Sequence, residues 1–203
     1  MRMKSFIAIA GLTFFMVLSG CAYMDQKVSL RYSSNAGSVT AGVGDRLLLL
    51  AGPEGSDRLA KKGSSYVIGN VKSGYGIKTA DTITDDSVDA WIVAAFATEL
   101  QSKGIMVHRV PRLPETYDYG MNVMILRIWI EQDPGFFTVG AVSDVSLILE
   151  IYSKGNLVKK FSIDGKGDKR GMLSTSGDRE ESLEKALKAV IAQAIPEILS
   201  VMR

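Results

Sequence analysis

The sequence predicts an α+β fold: a two-layer sandwich in which two amphipathic helices cover one face of a mostly antiparallel sheet. Three observations carry that expectation. Val88, Ile92, Ala95/Phe96 and Leu100 recur at helical spacing. Leu183, Leu187, Val190/Ile191, Ala194/Ile195 and Ile198 repeat the pattern near the end of the chain. Between them, from Met121 to Asp164, the period changes to two, as a half-buried sheet requires. One layer of helices on one sheet follows, because each element must bury its apolar side against another.

The chain begins with a targeting signal. Met1 to Ser5 carries Arg2 and Lys4, Phe6 to Leu18 is uncharged, and Leu18-Ser19-Gly20-Cys21 closes the run with the only cysteine. Thirteen residues at about 1.5 Å rise reach roughly 20 Å, short of the ~30 Å hydrocarbon core, so a permanent span is the weaker reading. Leu-Ser-Gly-Cys reads as a lipobox, with cleavage before Cys21 and acylation of its sulfur. Cleavage without acylation, leaving a spare thiol, is the competing reading. The likeness to bacterial lipoproteins implies three acyl chains. At about 0.8 kcal/mol per buried methylene, several chains hold where one would not. Ala22 follows the cysteine in place of Asp, which under enterobacterial sorting directs export to the outer membrane, on its periplasmic face. Retention in the inner membrane is the alternative if sorting follows other rules.

The organisation expected is therefore a signal peptide at 1–20, a lipid-anchored tether at 21–27, and one periplasmic domain at 28–203 with a Gly-rich arm at about 34–80. Without Arg2 and Lys4 the chain carries 22 basic and 22 acidic residues, an even balance that offers nothing to nucleic acid. With Cys21 acylated, disulfides and thiolate metal sites are excluded, and the fold must rest on its hydrophobic core.

In chain order, Val28 to Tyr32 alternates and suits a first strand. Nine of the twenty glycines lie between Gly37 and Gly76, which argues for turns and irregular structure there. Within that zone Arg46 to Ala51 is a continuous apolar run, the pattern of a strand buried on both faces, and Tyr66-Val67-Ile68 suits a short strand. A helix is expected from Asp85 or Asp86 to about Lys103, with Thr84 and the aspartates as N-cap candidates and Gly104 as its left-handed stop. Ile105 to Val110 is the next strand. Met121–Glu131, Val145–Tyr152 and Leu157–Ile163 form a meander, with Lys154-Gly155-Asn156 as one turn. Lys166 to Gly177 reads as a polar loop. The last helix is expected from Asp178 to about Val201, with Pro196 kinking or ending it.

Catalytic sets are thin. His108 is the only histidine, beside Arg109 in a strand, and no nucleophile elbow or comparable triad motif accompanies it. Asp81, Asp85, Asp86 and Asp89 could attract a divalent cation, but helix capping explains them without one, and no EF-hand-type loop is present. No P-loop occurs. No cofactor, metal or catalytic residue is assigned. Two features point to binding instead. Phe136 and Phe137 occupy an expected hairpin tip, where they would anchor a partner if exposed or close the core if folded back. The Gly-rich arm is either an interaction segment or a long connection.

Ile68-Gly69-Asn70-Val71-Lys72-Ser73-Gly74-Tyr75-Gly76-Ile77, Thr79 to Ile83, Val88-Asp89-Ala90-Trp91, Glu99-Leu100 and Gly104 together resemble the YajG-type family of outer-membrane lipoproteins. The likeness covers about Leu47 to Val107. It implies a location and a fold, and no reaction. It also marks Gly74, Tyr75 and Gly76 as a tight turn with Tyr75 laid against the sheet. The expectation is a non-enzymatic lipoprotein, held to the membrane by acyl chains on Cys21, that binds an envelope protein partner. A looser likeness of the strand-helix-strand layout to transport-accessory lipoproteins gives the alternative, in which a groove between the last helix and the sheet takes the acyl chain of a lipid or lipopolysaccharide.

Overall fold

The computed structural model describes residues 24–34, 46–135, 138–172 and 175–202. They form an α+β fold with nine strands and two α-helices. The strands are β1 (Gln26–Lys27), β2 (Leu47–Ala51), β3 (Lys61–Lys62), β4 (Ser65–Lys72), β5 (Lys78–Thr84), β6 (Met106–Val110), β7 (Tyr119–Pro134), β8 (Val139–Ser153) and β9 (Asn156–Gly171). The helices are α1 (Val88–Ser102) and α2 (Ser176–Val201).

Strand β7 is the hub. Along one edge it pairs antiparallel with β8 from Tyr119↔Ser153 to Pro134↔Val139, and β8 pairs in turn with β9. Its other edge is shared: Tyr119 to Met121 meets β2 in parallel, and Ile130 meets Gly69 of β4. Apart from β3 on β4 and the β8–β9 pair on β7, the path reads β1-β5-β4-β7-β2-β6, so among the described strands β6 is an edge strand. Parallel pairs at β1·β5, β2·β6 and β2·β7 make the sheet mixed, whereas the meander and the β4–β5 hairpin are antiparallel. Leu48, Leu50, Ile125, Ile128, Leu147 and Leu149 from the sheet, with Phe96, Leu100, Leu187 and Ile191 from the helices, belong to one buried cluster.

Several elements differ from the sequence reading. The candidate first strand Val28–Tyr32 is not one: β1 ends at Lys27, and residues 28–34 run as an arm across the two helices. Carboxylates replace a ladder as acceptors for its backbone. Ser29 N–H donates to Glu180 (2.8 Å), Leu30 N–H to Asp86 (2.8 Å) and Ser33 N–H to Glu184 (2.8 Å), while Trp91 Nε1 donates to the Arg31 carbonyl (2.9 Å). Within the Gly-rich zone, β4 and β5 build a regular hairpin. Gly69 serves that packing: a Cβ there would lie 2.2 Å from the Ile130 carbonyl oxygen. Residues 35–45 of the zone lie outside the described residues.

Helix α1 is capped by Ser87, whose side chain accepts from Ala90 N–H (3.2 Å), and not by Thr84, Asp85 or Asp86. Those aspartates are engaged elsewhere. The expected polar loop from Lys166 is strand to Gly171. Its inward positions, Phe161, Ile163, Gly165 and Gly167, alternate with outward Ser162, Asp164, Lys166 and Asp168. The glycines are inward because α2 lies on them: Cβ atoms at Gly165 and Gly167 would fall 2.2 Å from Ala186 O and 2.1 Å from Ser182 O. Helix α2 opens on a reciprocal capping box between Thr175 and Asp178. It passes through Pro196 to Val201, so the proline does not end it. Pro196 and Ala192 both lie on the exposed side, where water can satisfy the carbonyl that loses its donor.

Candidate functional site

The sequence candidates fall in three places. Cys21, Phe136 and Phe137 lie outside the described residues; flanking the two phenylalanines, Gly135 N–H donates to the Thr138 carbonyl (2.7 Å). His108 is exposed on edge strand β6. The four aspartates diverge. Asp81 pairs with Lys62 (3.2 Å) and Lys78 (2.7 Å), Asp85 with Lys27 and Ser65, and Asp86 with the Leu30 amide. The ammonium of Lys78 holds the Asp81 carboxyl below its ordinary range, as that of Lys27 does for Asp85. Among the described residues no three His, Cys, Asp or Glu side chains converge as metal ligands.

Gly74, Tyr75 and Gly76 form the tip of the β4–β5 hairpin, closed by Ser73 N–H to Ile77 O (2.9 Å) and Gly76 N–H to Ser73 O (2.9 Å). Gly76 sits at φ 78°, a conformation that favours glycine. Tyr75 is not laid against the sheet. It is 94% exposed, because a residue at the apex of a protruding hairpin has no sheet beneath it.

Between the last helix and the sheet, the described residues pack closely along β9. The two inward glycines of β9 bring α2 into backbone contact with that surface. Space opens elsewhere, and two clefts border the helices. A cleft of about 350 Å³ lies between the helices, lined by Tyr32, Glu99, Lys103, Lys188, Ile191 and Ile195. Tyr32 there donates to Glu99 (2.9 Å), and burial with that carboxylate pushes its pKa up. A second cleft, about 450 Å³, lies beside edge strand β6 and is lined by Leu50, Pro53, Ala90, Val93, Val110 and Pro111, with Asp89 and Arg109 also on its wall. One Asp89 oxygen accepts from Ser56 Oγ (2.8 Å); the other is buried and without a hydrogen bond among the described residues.

This second cleft is the arrangement that sequence reading missed. It joins a strand at the edge of the described sheet, an apolar wall and the flanking charges of Asp89 and Arg109. Those are the elements with which folds capture an extended peptide. The apolar run at Leu47–Ala51 and the helix at Val88 were both legible, but their meeting with Pro111 was not.

No family model matches the chain, and no curated protein matches it. Among solved structures it is similar to a Xanthomonas campestris protein of the DUF330 family, with 15% identity, TM-score 0.51, and coverage of 88% of this chain and 94% of that one. A neuraminyllactose-binding hemagglutinin homolog from Helicobacter pylori aligns with 13% identity and TM-score 0.46, over 87% of this chain and 96% of its own. The lipoprotein GNA1162 of Neisseria meningitidis aligns with 11% identity and TM-score 0.36, over 76% and 99%. At these identities the Xanthomonas likeness speaks for a shared fold and for nothing finer.

Proposed function

We propose that the chain is a non-enzymatic lipoprotein of the outer membrane, acylated on Cys21, that binds an envelope protein partner through the cleft beside β6. The observation that carries the binding reading is that cleft, with its apolar wall and edge strand. An extended segment of the partner would add to β6 and place an apolar side chain against Ala90, Val110 and Pro111. The lipobox supports the location, and so does the resemblance of the segment from Leu47 to Val107 to the YajG-type lipoproteins. Among the described residues no helix is long and apolar enough to cross a membrane.

Two measurements test the proposal. Cys21→Ser should move the protein from the membrane to the soluble periplasmic fraction; continued tight membrane association refutes the acyl anchor. Photo-crosslinking residues at Arg109, Phe136 and Phe137 should distinguish the surfaces in cells. A discrete protein adduct from Arg109 that disappears with Ala90→Glu supports the cleft. Adducts from Phe136 or Phe137 alone move the site to the β7–β8 tip, and lipid-only adducts at all three favour the transport reading.

A further inference from the structure

The most exposed large hydrophobic side chains among the described residues gather at one end of the sheet. Tyr75 is 94% exposed, Met172 84%, Met24 68% and Ile77 67%. Strand pairing places them together. Strand β4 runs parallel to β7 with Gly69 opposite Ile130, so the tip after Lys72 lies at the same end as Pro134. Val139 pairs with Gly171, which brings Met172 to that end as well.

The N-terminus arrives there too. Strand β1 is parallel to β5, with Gln26 opposite Thr82, so residues before Gln26 lead back toward Lys78 and the hairpin tip. Asp25 is held on that course by the Asp81 amide (3.1 Å) and the Lys62 ammonium (2.7 Å). Cys21 is five Cα steps from Gln26, so its Cα lies at most about 18 Å away. The five steps from Thr82 back to Ile77 span roughly 17 Å. A tether this short cannot hold the sheet end far from the bilayer surface.

We propose that Tyr75 and Ile77 form a second, non-covalent membrane contact, resting on the same lipid surface that holds the acyl chains of Cys21. The proposal rests on the acyl-anchor reading above. The tip is convex: nothing lies within 4 Å of a Cβ at Gly74 or Gly76, so it offers no pocket to a protein side chain. Tyrosine beside an aliphatic residue is the pairing that suits the bilayer interface, with the ring apolar and the hydroxyl wet. The flanking cations are neutralised, Lys72 by Glu131 and Lys78 by Asp81, so the contact is apolar and little affected by salt. Two points of attachment fix the orientation of the sheet, whereas a lipid on a short tether alone leaves it free to roll.

The test is spin-label depth measurement on the full acylated chain in phosphatidylethanolamine–phosphatidylglycerol vesicles. Because the Cys21 sulfur is acylated, a label enters only at a new thiol. Tyr75→Cys keeps Ile77, Ile77→Cys keeps Tyr75, and Asn156→Cys reports the opposite end of the sheet. On transfer from the Cys21→Ser form in solution to the vesicle-bound acylated form, both tip labels should lose accessibility to a water-soluble nickel chelate several-fold. The Asn156 label should not change. If the protein floats with the vesicles and mass spectrometry finds its acyl chains, but the tip labels stay as accessible as in solution, this proposal is overturned and the anchor stands. A chain that carries no acyl group and does not float overturns the anchor, and the tip contact with it.

Discussion

Replacing Gly167 with Ala puts the packing of α2 on β9 to a direct test. A Cβ at that position would stand 2.1 Å from Ser182 O, 2.6 Å from Ala186 N and 2.8 Å from Lys185 Cβ. The first two are helix backbone atoms and cannot swing aside. Optimal contact lies near 3.5 Å, so α2 must retreat by more than about 1 Å, a gap that forfeits a quarter to a half of each affected dispersion contact. Leu183, Ala186, Leu187 and Val190 are all buried on the side that retreats. Strain of this kind costs about 1–3 kcal/mol. The retreat also stretches the bond from Ser182 Oγ to Gly167 O, now 3.1 Å, adding about 1 kcal/mol. Restriction of the unfolded chain returns about 0.4–1 kcal/mol. The net expectation is a loss of about 1–3.5 kcal/mol. Urea unfolding of the Cys21→Ser form, with an m-value near 2 kcal/mol/M, should show the midpoint falling by about 0.5–2 M. Gly74→Ala is the matched control: nothing lies within 4 Å of its Cβ, and its midpoint should hold or rise slightly. If both substitutions leave the midpoint unchanged, the close approach of α2 to the glycine strand is wrong.

Other outcomes follow from the buried polar groups and the arm. Arg179 is 1% exposed and donates to Thr175 O (3.2 Å) and Gln132 Oε1 (2.7 Å), with no carboxylate hydrogen-bonded to it among the described residues. Burial depresses its pKa. Arg179→Ala should cost about 2–3 kcal/mol in the same unfolding assay, and Arg179→Met should recover part of that by refilling the space; equal losses would show that polarity rather than volume matters there. Glu184 is raised by burial, but hydrogen bonds from Ser33 and the Lys188 ammonium outweigh that and hold it below its ordinary value. A carboxylate depressed in the folded state contributes stability above its unfolded pKa and loses it as pH falls through the folded value. Amide protection of Ser33, corrected for intrinsic exchange, should therefore persist at neutral pH and be lost only as pH falls below the ordinary glutamate value of about 4.3. Loss between pH 8 and 6 would contradict carboxylate tethering. Trp91→Phe removes the indole bond to Arg31 O while keeping most of the buried ring. It should speed exchange in the arm up to about tenfold, equivalent to roughly 1 kcal/mol, with little change in global unfolding; unchanged arm exchange would mean the bond contributes nothing.

What the sequence determined by itself was whatever local chemistry decides. Both helices were legible because 3.6-residue spacing of Val88, Ile92, Phe96 and Leu100, and of Leu183, Leu187, Ile191 and Ile198, commits each to one buried face. The meander was legible from two-residue alternation, and the turn at Lys154-Gly155-Asn156 from its glycine, which adopts positive φ. Elements whose partners come from elsewhere in the chain were not legible. Gly165 and Gly167 looked like loop because their inward neighbour is the backbone of α2, which leaves no side chain to mark the strand. Val28 to Tyr32 alternated like a strand, yet its amides found Glu180, Asp86 and Glu184, more than fifty residues away, before they could find a ladder. Only the tertiary structure decided the cleft beside β6 and the exposure of Tyr75. A concavity belongs to the surfaces that enclose it, and an apex to the strands that lift it clear.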